Sequence, residues 1–441
     1  MANGNGMDKF LIEGGNHLTG EVTPSGNKNS VLPIMCAAIL ASEPVTLTNV
    51  PNILDVEVTA EIFKSLGGKV DWNCKKQVMT LDPTKIDKHE VSAEQTQKLR
   101  ASNLFMGPLW ARFGEAISHT PGGDKIGPRE MTAHYVAFRG LGGKVTTEQN
   151  TITIKGKPKG NRIFLYDPSV TATENAISAA VLAKGTTVLE NAACEPHVQE
   201  LCHFLNSMGA KIEGIGNNNL TIHGVERLGG TTHEIWPDFM DVGTTIVLAG
   251  ITRGRIRIKN VRHEDLVSML YFFESFNLKT EKDGNDLLVP GNQELYTVDQ
   301  EWSRIKGVYC QPWPGFPTDV LSVVVVLATQ TQGTTLIFEK MYPGRLYFAS
   351  FLAGMGANVI LCDPHRIVVT GKTRLKATRL VAPDIRAGMA YVAAALVAKG
   401  TSIVESVLHI DRGYPNIEKR LQKLGAKISR VNEEGKCHPK K

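Results

Sequence analysis

Four short segments of the 441-residue chain carry residue types that local structure alone does not require. In Ser25-Gly-Asn-Lys-Asn-Ser-Val-Leu-Pro33 a small-residue turn leads into an apolar run containing Leu32, Ile34 and Met35. Lys28 and Asn29 therefore stand at a predicted helix N-terminus, where backbone N–H groups suit a phosphate or carboxylate. A solvated lysine in a turn is the plainer alternative. The second segment runs from Lys98-Leu-Arg-Ala-Ser102 to Thr120-Pro-Gly-Gly-Asp-Lys-Ile-Gly-Pro-Arg129, and its latter part is too rich in proline and glycine for helix or strand. It predicts a lid-like loop presenting Asp124, Lys125 and Arg129 over a reactive ligand. The third, Pro312-Trp-Pro-Gly-Phe-Pro-Thr-Asp319, enters the apolar run Val320 to Ala328. Thr318 and Asp319 fall where an N-cap belongs, and the prolines fix the approach as an active carboxylate would need. The fourth is a set of arginines at element junctions: Arg345, Arg386 beside Asp384, and Arg412 within His409-Ile-Asp-Arg-Gly-Tyr414. Several converging guanidinium forks imply a ligand bearing carboxylate and phosphate.

The elements that must hold these residues repeat. Leu66-Gly-Gly-Lys-Val70, Leu141-Gly-Gly-Lys-Val145, Met208-Gly-Ala-Lys-Ile212, Met355-Gly-Ala-Asn-Val359 and Leu424-Gly-Ala-Lys-Ile428 share one pattern, and Phe276-Asn-Leu-Lys-Thr280 is a degenerate copy. Each reads as a helix ended by a residue tolerant of the left-handed conformation, followed directly by a strand. The six copies lie roughly 70 residues apart. A second phrase, an apolar helical run followed by a break and an alternating strand such as Arg255-Ile-Arg-Ile-Lys259, recurs in the same six frames. Six α/β units divide into two domains of three, which suits the chain length.

Composition narrows the class. Net charge is +5, from 49 basic and 44 acidic residues, too mild to demand nucleic acid. The seven cysteines are scattered, with no C-x-x-C pair, so neither a disulfide framework nor a zinc site is predicted. The N-terminal stretch lacks an apolar signal core, and Val320 to Ala328 is far too short to span a bilayer. A soluble cytoplasmic protein is expected. Gly371-Lys372-Thr373 ends like a phosphate-binding loop, but Arg366 occupies the first glycine position of that motif.

In order along nearly the whole chain, Ser25-Gly-Asn-Lys-Asn29, Leu99-Arg-Ala-Ser102, Gly107-Pro-Leu-Trp-Ala-Arg-Phe-Gly114, Ser169-Val-Thr-Ala-Thr-Glu-Asn175, Phe316-Pro-Thr-Asp319 and the His409–Tyr414 phrase resemble the enolpyruvyl transferases. They match in particular the branch acting on UDP-N-acetylglucosamine at the first committed step of peptidoglycan synthesis. The resemblance implies a two-domain fold, each domain three α/β units about a pseudo-threefold axis, an inside-out α/β barrel. It implies domains at 28–238, carrying a lid at 119–130, and at 1–27 plus 239–441. The implied reaction transfers the enolpyruvyl group of phosphoenolpyruvate to the sugar 3-hydroxyl and releases phosphate, by addition and elimination. Lys28, Asn29, Arg129 and Arg412 match residues holding phosphoenolpyruvate, with Arg345 and Arg386 adding charge. Arg100, Arg129, His134, Ser169 and Val170 match nucleotide-sugar contacts. Asp319 matches the base at the sugar hydroxyl, and Asp384 flanks it. No cofactor, metal, membrane or obligatory protein partner is implied.

Three departures from the family pattern bear on function. Asp124 occupies the lid position that is cysteine in most relatives, so the general-acid role falls to a carboxyl group and fosfomycin, which alkylates that cysteine, should not inactivate the protein. Thr132 stands where relatives commonly carry an aspartate contacting uracil. Met341-Tyr-Pro-Gly-Arg345 is longer than the usual stretch before its arginine. Transfer to shikimate 3-phosphate or another nucleotide, and a non-catalytic paralogue, are the competing readings.

Overall fold

A computed structural model describes residues 8–122, 130–298 and 306–431. The lid residues Asp124, Lys125 and Arg129 lie outside them. The chain forms two compact units, one from Ser25 to Trp236 and one joining the residues up to Pro24 with those from Pro237 onward. These divisions fall a few residues before the expected 27/28 and 238/239. Among the described residues each unit holds three sheets, five of the six being four-stranded.

One sheet shows the common plan. Arg379–Val381 runs parallel to Thr401–Glu405, which pairs antiparallel with Lys9–Glu13, itself antiparallel to Lys427–Val431. The parallel pair needs a crossover, and the helix Ile385–Val397 supplies it. In the three-stranded sheet of Glu115–His119, Thr151–Lys155 and Lys144–Glu148, an isolated parallel bridge from Glu90 to Ile117 takes the place of the short edge strand. The second strand, Thr19–Val22, pairs in parallel with Arg255–Ile258, again joining the start of the chain to the residues from Pro237 onward.

The crossover helices are buried on nearly every side. Phe239–Ile251 is buried along its whole length, Thr318–Gln330 from Val320 to Thr329, and Ile385–Val397 from Ile385 to Leu396. A helix apolar all round belongs in a core rather than at a surface. The matching helices of the other unit, Lys28–Ala37, Met106–Phe113 and Val170–Ala180, are buried over most of their length. The helices thus lie inside and the sheets outside. The repeated junctions have the expected backbone: Gly67 (φ +106°) and its glycine counterparts take positive φ, and Asn277 does so in the degenerate copy (φ +55°).

Close packing of the inner helices depends on one small residue. A Cβ at Gly107 would lie 2.4 Å from the carbonyl oxygen of Asn175, so Met106–Phe113 and Val170–Ala180 approach backbone to backbone there. No helix of the described residues is long and apolar enough to cross a membrane.

Candidate active site

Most of the site residues expected from sequence fall at or near the N-terminal ends of helices. In the unit from Ser25 to Trp236, Lys28 and Asn29 open the helix Lys28–Ala37, which Asn27 caps by accepting the Asn29 N–H at 2.8 Å. Pro33 lacks the N–H that would have met the Asn29 carbonyl within the helix. Lys28 Nζ lies 2.6 Å from Asp55 Oδ2, and Asp55 is almost wholly buried. An ammonium has three N–H donors, so this pair leaves donors available to an anion. Asp55 was not identified from sequence; it sits in the first turn of the next helix, Leu54–Ser65.

Ser169 is the N-cap of Val170–Ala180 but makes no side-chain capping bond. The helix therefore presents its Ser169 hydroxyl and first-turn N–H groups without a side-chain cap, an arrangement suited to phosphate. Arg100 starts the 3-10 helix Arg100–Phe105, half-buried and close enough to act electrostatically on His134.

His134 is buried and held on both ring nitrogens. Asn175 Oδ1 accepts the Gly107 N–H at 2.7 Å, which turns the Asn175 amide nitrogen toward His134 Nδ1 at 3.1 Å. Nδ1 must then accept, leaving the ring proton on Nε2 facing Thr171 Oγ1 at 3.0 Å. Burial first, then the Arg100 charge, push the imidazole down to about 3, so the ring is neutral. Nothing in the sequence spacing indicates this knot, since Asn175 lies 41 residues beyond His134. Thr132 turns its hydroxyl to Glu130 at 3.1 Å.

In the other unit, the N-terminal ends of all three inner helices converge on one guanidinium. Arg386, in the first turn of Ile385–Val397, places Nη2 2.8 Å from Asp319 Oδ2 and 3.5 Å from Met240 Sδ. Asp319 is in the first turn of Thr318–Gln330 and Met240 in that of Phe239–Ile251. The second Asp319 oxygen lies 3.1 Å from Arg345 Nη2. Asp319 is therefore gripped by two arginines and is not the capping residue its position suggested; Pro317 holds the N-cap position, with no side-chain bond.

Asp384, by contrast, caps its helix outright, accepting from the N–H groups of Arg386 (2.8 Å) and Ala387 (3.0 Å). Glu339, fully buried, accepts from Thr318 Oγ1 and from the backbone N–H groups of Met341 and Tyr342 at 2.8 and 3.2 Å, and stands 3.9 Å from Arg345 Nε. The longer stretch before Arg345 thus folds around a carboxylate, and the Tyr342 ring lies beneath the Arg345 guanidinium at 5.1 Å. Burial is the largest single influence on both arginines and opposes their charge, but the raising interactions together outweigh it, Asp319 with Glu339 at Arg345 and Asp319 with Tyr414 and Asp238 at Arg386. Both guanidinium groups are held above their ordinary pKa. Asp238, the N-cap of Phe239–Ile251, is pushed up to about 6 by burial despite the nearby Arg386 charge. Arg412 follows the short helix Leu408–Asp411 and is half-buried.

The arrangement offers, in one unit, a lysine and an uncapped helix end for anions, and in the other a carboxylate between two guanidinium groups. A family model described as EPSP synthase (3-phosphoshikimate 1-carboxyvinyltransferase) matches residues 12–421. A UDP-N-acetylglucosamine 1-carboxyvinyltransferase of Treponema denticola is 46% identical, over 96% of this chain and 99% of that one. The chain belongs to the enolpyruvyl transferase family.

A second UDP-N-acetylglucosamine 1-carboxyvinyltransferase, from Bradyrhizobium diazoefficiens, is also 46% identical, over 96% of this chain and 98% of the relative. Among solved structures, the enolpyruvyl transferase NikO from Streptomyces tendae superposes with a TM-score of 0.86 at 23% identity, covering 97% of this chain and all of its own. An EPSP synthase from Acinetobacter baumannii gives 0.72 at 16% identity, over 96% of this chain and all of its own. At those identities the two structures establish the enolpyruvyl transferase fold, with its two domains of three α/β units, and no more.

Proposed function

We propose that this enzyme transfers the enolpyruvyl group of phosphoenolpyruvate to the 3-hydroxyl of UDP-N-acetylglucosamine and releases phosphate, the first committed step of peptidoglycan synthesis. The observation that carries the reading is the grip of Arg345 and Arg386 on Asp319. It combines a carboxylate able to take a hydroxyl proton with the fork-shaped cations that a phosphorylated carboxylate requires.

In the addition step Asp319 takes the proton of the sugar hydroxyl as its oxygen bonds to C2 of phosphoenolpyruvate. The methylene carbon gains a proton, giving a tetrahedral ketal that still carries phosphate. Elimination returns a proton from the methyl group and expels phosphate, restoring the vinyl double bond. We assign the proton donor to Asp124, and the binding of phosphoenolpyruvate to Lys28, Asn29, Arg129 and Arg412 with charge from Arg345 and Arg386. The nucleotide sugar falls to Arg100, Arg129, Ser169 and Val170. His134 is assigned to the nucleotide sugar as well, from the first turn of Thr132–Gly140, where both its ring nitrogens are engaged. Asp384 acts through its cap on the Arg386 turn. The reaction is placed in the cytoplasm, on small-molecule substrates and without an obligatory protein partner.

Mass spectrometry of the acceptor tests the reading. Incubation with both substrates should yield an enolpyruvyl ether of UDP-N-acetylglucosamine, and both Asp319→Ala and Asp319→Asn should abolish it, with a lowered melting temperature because buried Arg345 and Arg386 lose their carboxylate partner. Product formed on shikimate 3-phosphate instead would favour the acceptor-switched alternative. Full turnover by Asp319→Ala would remove it from the role of base.

A further inference from the structure

Tyr414 closes the phrase His409–Tyr414 and is fully buried, in a chain segment fixed by its own N–H on the Ile410 carbonyl at 2.9 Å. Its hydroxyl lies 3.1 Å from Arg386 Nη1 and 3.0 Å from Thr244 Oγ1. Arginine has no acceptor, so the phenol oxygen accepts from Arg386 and its own proton is left for Thr244. The ring also lies under the Arg386 guanidinium, with the central carbon 5.4 Å from the ring centroid. Thr244 belongs to Phe239–Ile251 and Arg386 to Ile385–Val397, so one side chain ties two inner helices to the orientation of one guanidinium. Burial raises the phenol above its ordinary pKa, which keeps it a neutral donor.

A guanidinium is planar, so fixing Nη1 fixes Nη2. With Nη1 on Tyr414, Nη2 faces Asp319 Oδ2 at 2.8 Å. We infer that Tyr414 is a positioning residue for the reaction, setting the plane of Arg386 and through it the carboxylate of Asp319. This rests on Asp319 being the base.

The charged and titratable groups around this assembly are Arg345 on the other Asp319 oxygen, Glu339 behind Arg345, Asp238 and Asp241 near Arg386 and Tyr414, and the Cys310 thiol near Asp319. Since Asp238 is shifted to about 6, Asp238→Asn must be profiled beside the other variants to assign any acidic limb.

The test uses Tyr414→Phe, which keeps the ring and removes the hydroxyl, together with Thr244→Val and Thr244→Ser. A guanidinium freed to rotate away leaves Asp319 a poorer ion pair, and a carboxylate that loses a cation is more easily protonated. Tyr414→Phe should therefore lower kcat about tenfold, with KM for the acceptor within about twofold, and move the acidic limb of the kcat–pH profile upward by about half to one unit. Thr244→Val should show a smaller effect in the same direction, and Thr244→Ser should behave as the parent. A drop in kcat with an unmoved acidic limb in both Tyr414→Phe and Thr244→Val would overturn the inference, as would parental kinetics in both. If Asp319→Asn keeps full turnover, the assignment of the base fails instead, and the two failures are told apart.

Discussion

The neutral, buried His134 gives the most exacting physical prediction. Folding holds its imidazole at about 3, whereas an exposed histidine titrates near 6.5. Below the unfolded value the unfolded chain takes up a proton that the folded chain refuses, so stability falls with pH across the window from 6.5 down to about 3. Each pH unit within that window costs about 1.4 kcal/mol, so the loss accumulated at pH 5 is about 2 kcal/mol. For a domain of 150–250 residues that corresponds to roughly 4–8 °C in melting temperature. His134→Gln removes the titrating group while destabilising the protein at every pH through the lost bonds to Asn175 and Thr171. The informative quantity is thus the difference in melting temperature between parent and variant, in which other acid-sensitive groups cancel. Scanning calorimetry at pH 7.5 and pH 5 should show the parent losing much or all of its advantage at the lower pH. A difference equal at the two values would refute the account of a buried, neutral His134.

Three further outcomes follow from named contacts. Asp55→Ala strips Lys28 of its 2.6 Å carboxylate partner; because Lys28 keeps some solvent access, the expected loss is about 1–3 kcal/mol in urea unfolding, with an altered KM for phosphoenolpyruvate. Gly107→Ala drives a methyl group to 2.4 Å from the Asn175 carbonyl, backbone that cannot move aside, and should cost about 2–4 kcal/mol or prevent accumulation of soluble protein; parental stability would contradict the close helix approach. Fosfomycin at concentrations that inactivate a cysteine-bearing relative should give no time-dependent loss of activity, since none of the seven cysteines lies between residues 119 and 130.

The architecture was legible because it is written locally and repeated. A helix that ends on Gly67 or Asn277 and restarts as a strand leaves a short pattern, and six copies make it unmistakable. The apolar run Val320 to Ala328 was legible as a helix, and the fold buries it on all sides. Residues with distinctive chemistry at helix starts, such as Lys28, Asp319 and Arg386, were legible for the same reason. What holds them was not. Asp55, Glu339, Asn175 and Tyr414 act through contacts that join different elements, and none stands in a pattern that names its partner. Asp319 shows the difference most clearly. Its place before an apolar helix reads as a cap, while its carboxylate belongs to Arg345 and Arg386, 26 and 67 residues away.

The central claim concerns the acceptor, and phosphate release from phosphoenolpyruvate measures it directly. With UDP-N-acetylglucosamine, phosphate should appear at a rate that saturates in both substrates, and it should remain at background with shikimate 3-phosphate or no acceptor. Release that requires shikimate 3-phosphate, or none with any acceptor, would contradict the account.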